Sequence, residues 1–262
     1  MSNTQTTNGV VGLAIGSGNG AINVFGGSVT TAIAGNTSTI LVTNGAVGEA
    51  RGNDSSEINV SGGTVTTLNA NNDNSVDLRP GARVTTFNNA ANNTIDSDTV
   101  TTVNGFAGSV TNIISGGTVT AANSNGTVNI SGGAIADFSN AGNAIITNGD
   151  ITNGIFMENG SASVNFVGTG LAYAYTGYGL NNSYGYYADA FTITGAFGGV
   201  PKTYNLFIRN DNGSGGAATA NSAPRQFLFN GAAPAVVPEA GTLALLLPAL
   251  GVLGAVVVRR RK

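Results

Sequence analysis

Along most of the chain the apolar residues fall on alternate positions in short runs, and the runs are broken by glycine-bearing corners. In residues 58–67 (INVSGGTVTT), Ile58 and Val60 alternate with polar neighbours, Gly62 and Gly63 interrupt, and the apolar series resumes at Val65 and Leu68. A period of two predicts strands. The glycine pair supplies the positive φ of a tight corner, because glycine has no Cβ to oppose it. The unit recurs. Residues 22–31 (INVFGGSVTT), 40–49 (ILVTNGAVGE) and 58–67 start 18 residues apart, and further copies begin at Val76, Thr94, Asn112, Val128, Ala144 and Val164. That makes nine copies, with Val11 as the trace of a tenth.

One such unit cannot bury its own apolar edge, but nine stacked at the strand spacing of about 4.8 Å form a rod of about 43 Å with a continuous interior. The period is too short for a β-propeller blade, which needs about 40–50 residues. Asn69, Asn88, Asn104 and Asn123 recur just after the second strand of their copies, where stacking turns them into a ladder of amides or, alternatively, a row facing a glycan. The predicted fold is all-β: a parallel β-solenoid (β-helix), right-handed, with about 18 residues per coil, a C-terminal β cap and one transmembrane helix. Its expected parts are repeats over 1–171, the β-rich cap over 172–232, a linker over 233–240, and the helix with a basic tail over 241–262.

Past Leu171 the period is lost, and Tyr173, Tyr175, Tyr178, Tyr184, Tyr186, Tyr187 and Tyr204 make up all the tyrosine of the chain. Strand-like runs at 186–197, 202–209 and 225–229 suit a cap over the open end of the stack; the tyrosines offer a sugar-stacking platform as the other reading. Pro234 to Pro238 punctuate a linker, after which residues 241–258 carry no charge. At about 1.5 Å per residue this stretch is about 27 Å long, enough to cross a bilayer as a helix, and Arg259, Arg260, Arg261 and Lys262 stop it on the cytoplasmic side.

Composition narrows the chemistry. The 262 residues include 40 Gly and 34 Asn, only 9% are charged, and Cys, His and Trp are absent. No Ser-His-Asp or Cys-His triad, thiolate or imidazole metal site, or disulfide framework can be built from this chain. Setting aside the last four residues, six basic side chains stand against 13 acidic ones, a net of −7, which argues against a nucleic-acid partner. The acidic groupings Asp54/Glu57, Asp73/Asp77 and Asp96/Asp98 are read as solvated turn residues, with loose Ca²⁺ binding or paired-carboxylate glycoside chemistry as the alternatives. Gly12, Gly16, Gly18 and Gly20 lack the spacing and the Lys-Ser/Thr of a phosphate loop. No catalytic, cofactor or metal site is expected.

The order Val237-Pro238-Glu239-Ala240-Gly241-Thr242, apolar run, then RRRK resembles the PEP-CTERM sorting signal of Gram-negative-type bacteria. Ala240 stands where the family's motif has a second proline. The resemblance implies Pro238, Glu239 and Ala240 as the sorting motif, the terminal basic cluster as the membrane stop, and an exosortase-type processing enzyme as partner. It also implies an envelope location, anchored in the inner membrane before cleavage and at the surface or in an exopolysaccharide matrix after it. Residues 1–7 show neither a basic nor an apolar leader segment, and the repeat starts with no cap; a start placed downstream of the true one is expected to account for both. The function expected is a non-enzymatic structural or adhesive surface protein, with extracellular polysaccharide and the membrane as further partners. The alternatives are a carbohydrate-active β-helix enzyme and an uncleaved, anchored surface protein.

Overall fold

The computed structural model describes residues 3–96, 99–158, 162–181, 186–209 and 227–232, and these contain strands and turns only. Residues 233–262, with the expected linker and transmembrane segment, lie outside them. Among the described residues no helix is long and apolar enough to cross a membrane.

The body is a parallel β-solenoid of nine coils. The first seven each contribute a four-residue strand and a seven-residue strand: β1 (Asn3–Thr6) and β2 (Val10–Gly16), β3 (Ala21–Val24) and β4 (Ser28–Ala34), β5 (Thr39–Val42) and β6 (Ala46–Gly52), β7 (Glu57–Val60) and β8 (Thr64–Ala70), β9 (Ser75–Leu78) and β10 (Arg83–Asn89), β11 (Asn92–Ile95) and β12 (Thr99–Gly105), and β13 (Val110–Ile113) and β14 (Thr118–Ser124). The eighth is one long strand, β15 (Thr127–Asn140), and the ninth is β16 (Asn143–Ile151) with β17 (Ile155–Met157). Each strand pairs in parallel with its counterpart one coil away, as Glu57 does with Thr39 and Ser75, both 18 residues distant.

The pattern of alternation explains the cross-section. In β8 Val65, Leu68 and Ala70 are buried, whereas Thr66 and Thr67 are successive outward residues. The alternation slips there by one place, so the strand turns a corner within itself and the coil acquires three short sides. The other corners use left-handed backbone. Gly27, Gly45 and Gly63 (φ 69°, 90° and 73°) stand one above another at one of them, and Asn36, Asp54 and Asn72 (φ 55°, 56° and 56°) at the next. Asparagine and aspartate are the non-glycine residues that tolerate this conformation best. Inside, columns such as Val24, Val42, Val60, Leu78, Ile95 and Ile113 run along the axis fully buried, each large side chain contributing about 1.5–3 kcal/mol of burial.

Two copies are framed differently from the sequence expectation. Thr94 is level with Asp77, and Asn93 with Thr111, so the coils expected to begin at Thr94 and Asn112 are set one residue earlier. Asn93 and Thr111 thereby occupy the buried column of Ile58 and Val76, at 2% and 0% exposure. Their polar atoms are satisfied within the core. Asn93 Oδ1 accepts from the Val76 amide (2.7 Å), Asn93 Nδ2 donates to Asn89 Oδ1 (2.7 Å), and Asn89 Nδ2 donates to Thr111 Oγ1 (2.8 Å). Val11 is level with Val29, and the coil before Ile22 starts at Asn3, with Thr4 beside Ile22.

After β18 (Ser163–Phe166) the chain leaves the helical path. β19 (Thr169–Asn181), β20 (Tyr186–Phe197) and β21 (Val200–Arg209) form an antiparallel meander. β21 then pairs in parallel with β17, and β22 (Phe227–Phe229) with β18, so the meander is stitched onto the last coils.

The corner glycines supply a direct test. A Cβ on Gly63 would lie 2.5 Å from the Gly45 carbonyl oxygen, in addition to its left-handed φ, whereas a Cβ on Gly35 meets nothing within 4 Å. Gly63→Ala is expected to destabilise the fold by about 2 kcal/mol or more. Gly35→Ala should stay within about 0.5 kcal/mol of wild type in denaturant unfolding followed by circular dichroism.

Candidate functional site: an amide ladder and an aromatic cap

Register in the β8, β10, β12 and β14 stack brings the four expected asparagines into one column. Asn88 Nδ2 donates to Asn69 Oδ1 (2.7 Å), Asn104 Nδ2 to Asn88 Oδ1 (2.9 Å) and Asn123 Nδ2 to Asn104 Oδ1 (3.2 Å). All four amides therefore point their N–H groups toward the N-terminal end. There Asn69 Nδ2 donates to Glu49 Oε1 (2.8 Å), which Arg51 also holds at 2.6 Å. A carboxylate at the donor end of an aligned chain of amide dipoles is favourable for the reason that an anion is at a helix N-terminus. At the other end Asn123 Oδ1 accepts no hydrogen bond from the described residues. Its neighbour in the column is Ser139, whose hydroxyl donates to Glu158. A shorter ladder joins Asn129 Nδ2 to Asn112 Oδ1 (2.8 Å) one side away.

The side chains beside the long ladder are almost all threonine. Thr67, Thr86 and Thr102 form the adjoining column, and Thr66, Thr85 and Thr101 stand exposed at the corner. From β8 to β12 these columns repeat the same uncharged side chains, and in β6 they continue into Glu49 and Arg51.

The aromatic residues after Leu171 are buried in part and exposed in part. Tyr204 is 2% exposed and packs against Phe197 (ring centroids 4.9 Å) and Phe166 (5.9 Å), while Tyr173 lies against Phe227 (5.3 Å). Tyr204 Oη and Lys202 Nζ both donate to the Gly149 carbonyl (2.9 and 2.7 Å), and Lys202 also meets Asp150 at 2.6 Å, which clamps the meander to β16. Burial, and then the Asp150 charge, push the Tyr204 phenol well above its ordinary value. Tyr175, Tyr186 and Tyr187 remain 45–52% exposed, with Arg209 4.0 Å above the Tyr186 ring and Tyr178 stacked on Tyr187. Tyr184 lies outside the described residues.

Asp54 and Asp73 lie on turns, Glu57 begins β7, Asp77 lies within β9 and Asp96 follows β11. Asp77 pairs with Arg79 at 2.7 Å, and Asp54 accepts the Asn36 amide at 3.3 Å. Asp73 and Glu57 are exposed, and Asp98 is not among the described residues. No group of three or more acidic residues among those described is placed to hold a metal ion. The sequence reading missed the Glu49–Arg51 terminus, the Lys202–Tyr204 clamp and Glu158, each of which depends on contacts between residues far apart in the chain. It also passed over Phe106, although an aromatic there was a readable signal: the Phe106 amide makes the same backbone bond as those of Gly35, Asn53, Asn71, Ala90 and Asn125, so Phe106 fills a turn position held in those coils by small or polar residues.

Pro238, Glu239, Ala240 and the cluster Arg259, Arg260, Arg261 and Lys262 are outside the described residues. Residues 236–262, which contain all of them, match the PEP-CTERM protein-sorting motif. No curated protein and no solved structure matches the chain. The motif implies an exported, envelope-associated protein and processing by an exosortase-type enzyme.

Two outcomes follow from the geometry. Asn88→Ala removes one rung and two bonds, leaving the half-buried Asn69 and Asn104 amides incompletely paired; thermal unfolding should report a loss of about 1–2 kcal/mol. Because the folded-state value of Tyr204 is raised, the stability it contributes is fully present below the unfolded phenol value of 10.0 and is lost as pH rises above it. Melting temperatures measured between about pH 8 and 11.5 should fall less steeply for Tyr204→Phe than for wild type.

Proposed function

We propose that this is an exported bacterial cell-surface or exopolysaccharide-matrix protein with a structural or adhesive, non-enzymatic role. In this reading the solenoid, wound right-handed, is the rigid passenger. The apolar run 241–258 is a transmembrane helix that holds the precursor in the inner membrane, with the basic cluster on the cytoplasmic side. The exosortase-type enzyme cuts near Pro238-Glu239, and the body passes to the surface or the matrix. The observation that carries the proposal is the sorting-motif match over 236–262, directly behind a repetitive all-β body. The uniform threonine and asparagine face supports scaffolding or adhesion, since many weak contacts repeated along a rod add up through avidity.

Mass spectrometry of the C-terminus in membrane, surface and culture fractions tests this directly. The expected result is a body lacking the segment after about Pro238 outside the inner membrane, and an uncut precursor accumulating in the membrane for Glu239→Ala. A wild-type chain found only intact and only in the membrane would overturn cleavage and make the protein a permanently anchored rod. Ala240→Pro, which restores the usual motif, should raise the processed fraction.

A further inference from the structure

The C-terminal end of the amide ladder opens into a groove of about 240 Å³ lined by Asn104, Phe106, Asn123, Ser124, Asn125 and Glu158. We infer that this groove binds a short stretch of a neutral polysaccharide lying along the solenoid axis. The inference rests on the export reading only for where the polymer is met, outside the cell.

Shape comes first. The amides of Phe106, Asn125, Ala141 and Glu158 bond to carbonyls of successive coils, so these residues form one column of turn positions. Phe106 and Glu158 stand three coils apart in it, about 14 Å at the inter-coil spacing. Between them stand Asn125, itself part of the lining, and the small Ala141. The volume is below the roughly 300–1,000 Å³ of a pocket for a compact organic ligand, which suits one ring of a longer chain rather than a cofactor.

The chemistry agrees. Phe106 is 48% exposed and offers a bare ring face, with a negative quadrupole, to the weakly positive C–H face of a pyranose. Two acceptor groups face the groove. Asn123 Oδ1 ends the ladder unpaired, and Glu158, held by Ser139, presents a carboxylate. Beside the Asn123 and Asn125 amide donors they suit a ligand that both donates and accepts, as sugar hydroxyls do. Charge selects among sugars: with six basic against 13 acidic residues before the tail, the body repels uronate polymers. One carboxylate is too few for Ca²⁺, which takes about six to eight oxygen ligands. Per-site affinity should be weak, about millimolar, and gain strength only through repetition along the polymer.

The experiment is titration of the full-length protein in detergent with cellohexaose, laminarihexaose and isomaltohexaose, and with an alginate hexamer as the anionic control, read by calorimetry and saturation-transfer NMR. At least one neutral hexasaccharide is expected to bind, with saturation transferred from the Phe106 ring, and the alginate hexamer should not. Phe106→Ala should weaken binding about tenfold. Phe106→Tyr should retain it, Glu158→Gln should weaken it, and Phe25→Ala, an exposed ring in a distant coil, should change nothing. Circular dichroism melts confirm that each variant folds. Absence of binding by all three neutral oligosaccharides at about 10 mM, equal binding of alginate, or unchanged binding by Phe106→Ala each overturns the inference. These results are separable from sorting: a protein cut and released that binds no sugar refutes the groove alone, and an uncut protein that binds refutes the processing alone.

Discussion

A strand in this protein has its backbone N–H and C=O groups on the edges of the coil, and only the coils above and below can satisfy them. That requirement sets nearly everything else. Parallel pairing at about 4.8 Å forces equivalent positions into columns, so a residue is judged by its fit to the same position one coil away as well as by its own surroundings. Gly63 is acceptable because the Gly45 carbonyl passes where a Cβ would be. Asn88 is useful because Asn69 lies below it to accept and Asn104 above it to donate. Even the polar core follows the rule. Asn93 and Thr111 are buried in adjacent coils, and Asn89 joins both into one hydrogen-bonded network.

Stacking of this kind has no natural stop, since the last coil presents the same unpaired edge as every other. The meander resolves this at the C-terminal end by changing the direction of the chain. Its strands pair antiparallel among themselves, which satisfies them internally, while β21 and β22 each add one parallel strand to the edges of β17 and β18. The attachment is chemically specific. One backbone oxygen, that of Gly149, receives both Lys202 and Tyr204, and the Phe166, Phe197 and Tyr204 rings fill the space beneath.

How much of this was legible in the sequence depends on whether the signal was local. Alternation, corner glycines and the recurrence of asparagine after the second strand are properties of a single repeat, and they predicted the solenoid, its coil length and the ladder. The framing of the sixth and seventh coils was not legible, because Asn93 and Thr111 replaced inward apolar residues and left the neighbouring frame looking equally good. Glu158 was illegible for a different reason: its role arises from Ser139, one coil away, and no short motif records that proximity. The sorting tail is the opposite case. Its signal is an order of composition, a Pro-Glu motif, an uncharged run and a basic end, and it is read without any fold at all.

Uniformity along the axis also determines where binding can be selective. A column that repeats without change offers the same weak contacts at every coil, and no place is distinguished from the next. Distinction appears where the translation is broken. The step alternates between 19 and 16 residues from β8 to β15, and between β16 and β18 it rises to 20, after one long strand has taken the place of the usual pair. The ladder ends at this irregular stretch, asparagine gives way to serine in its column, and a phenylalanine, an alanine and a glutamate occupy turn positions that elsewhere hold polar or small residues. Regular coils supply length and stiffness, and the irregular ones supply chemistry, so a rod of this type presents its specific contacts at a fixed point on an otherwise repetitive surface.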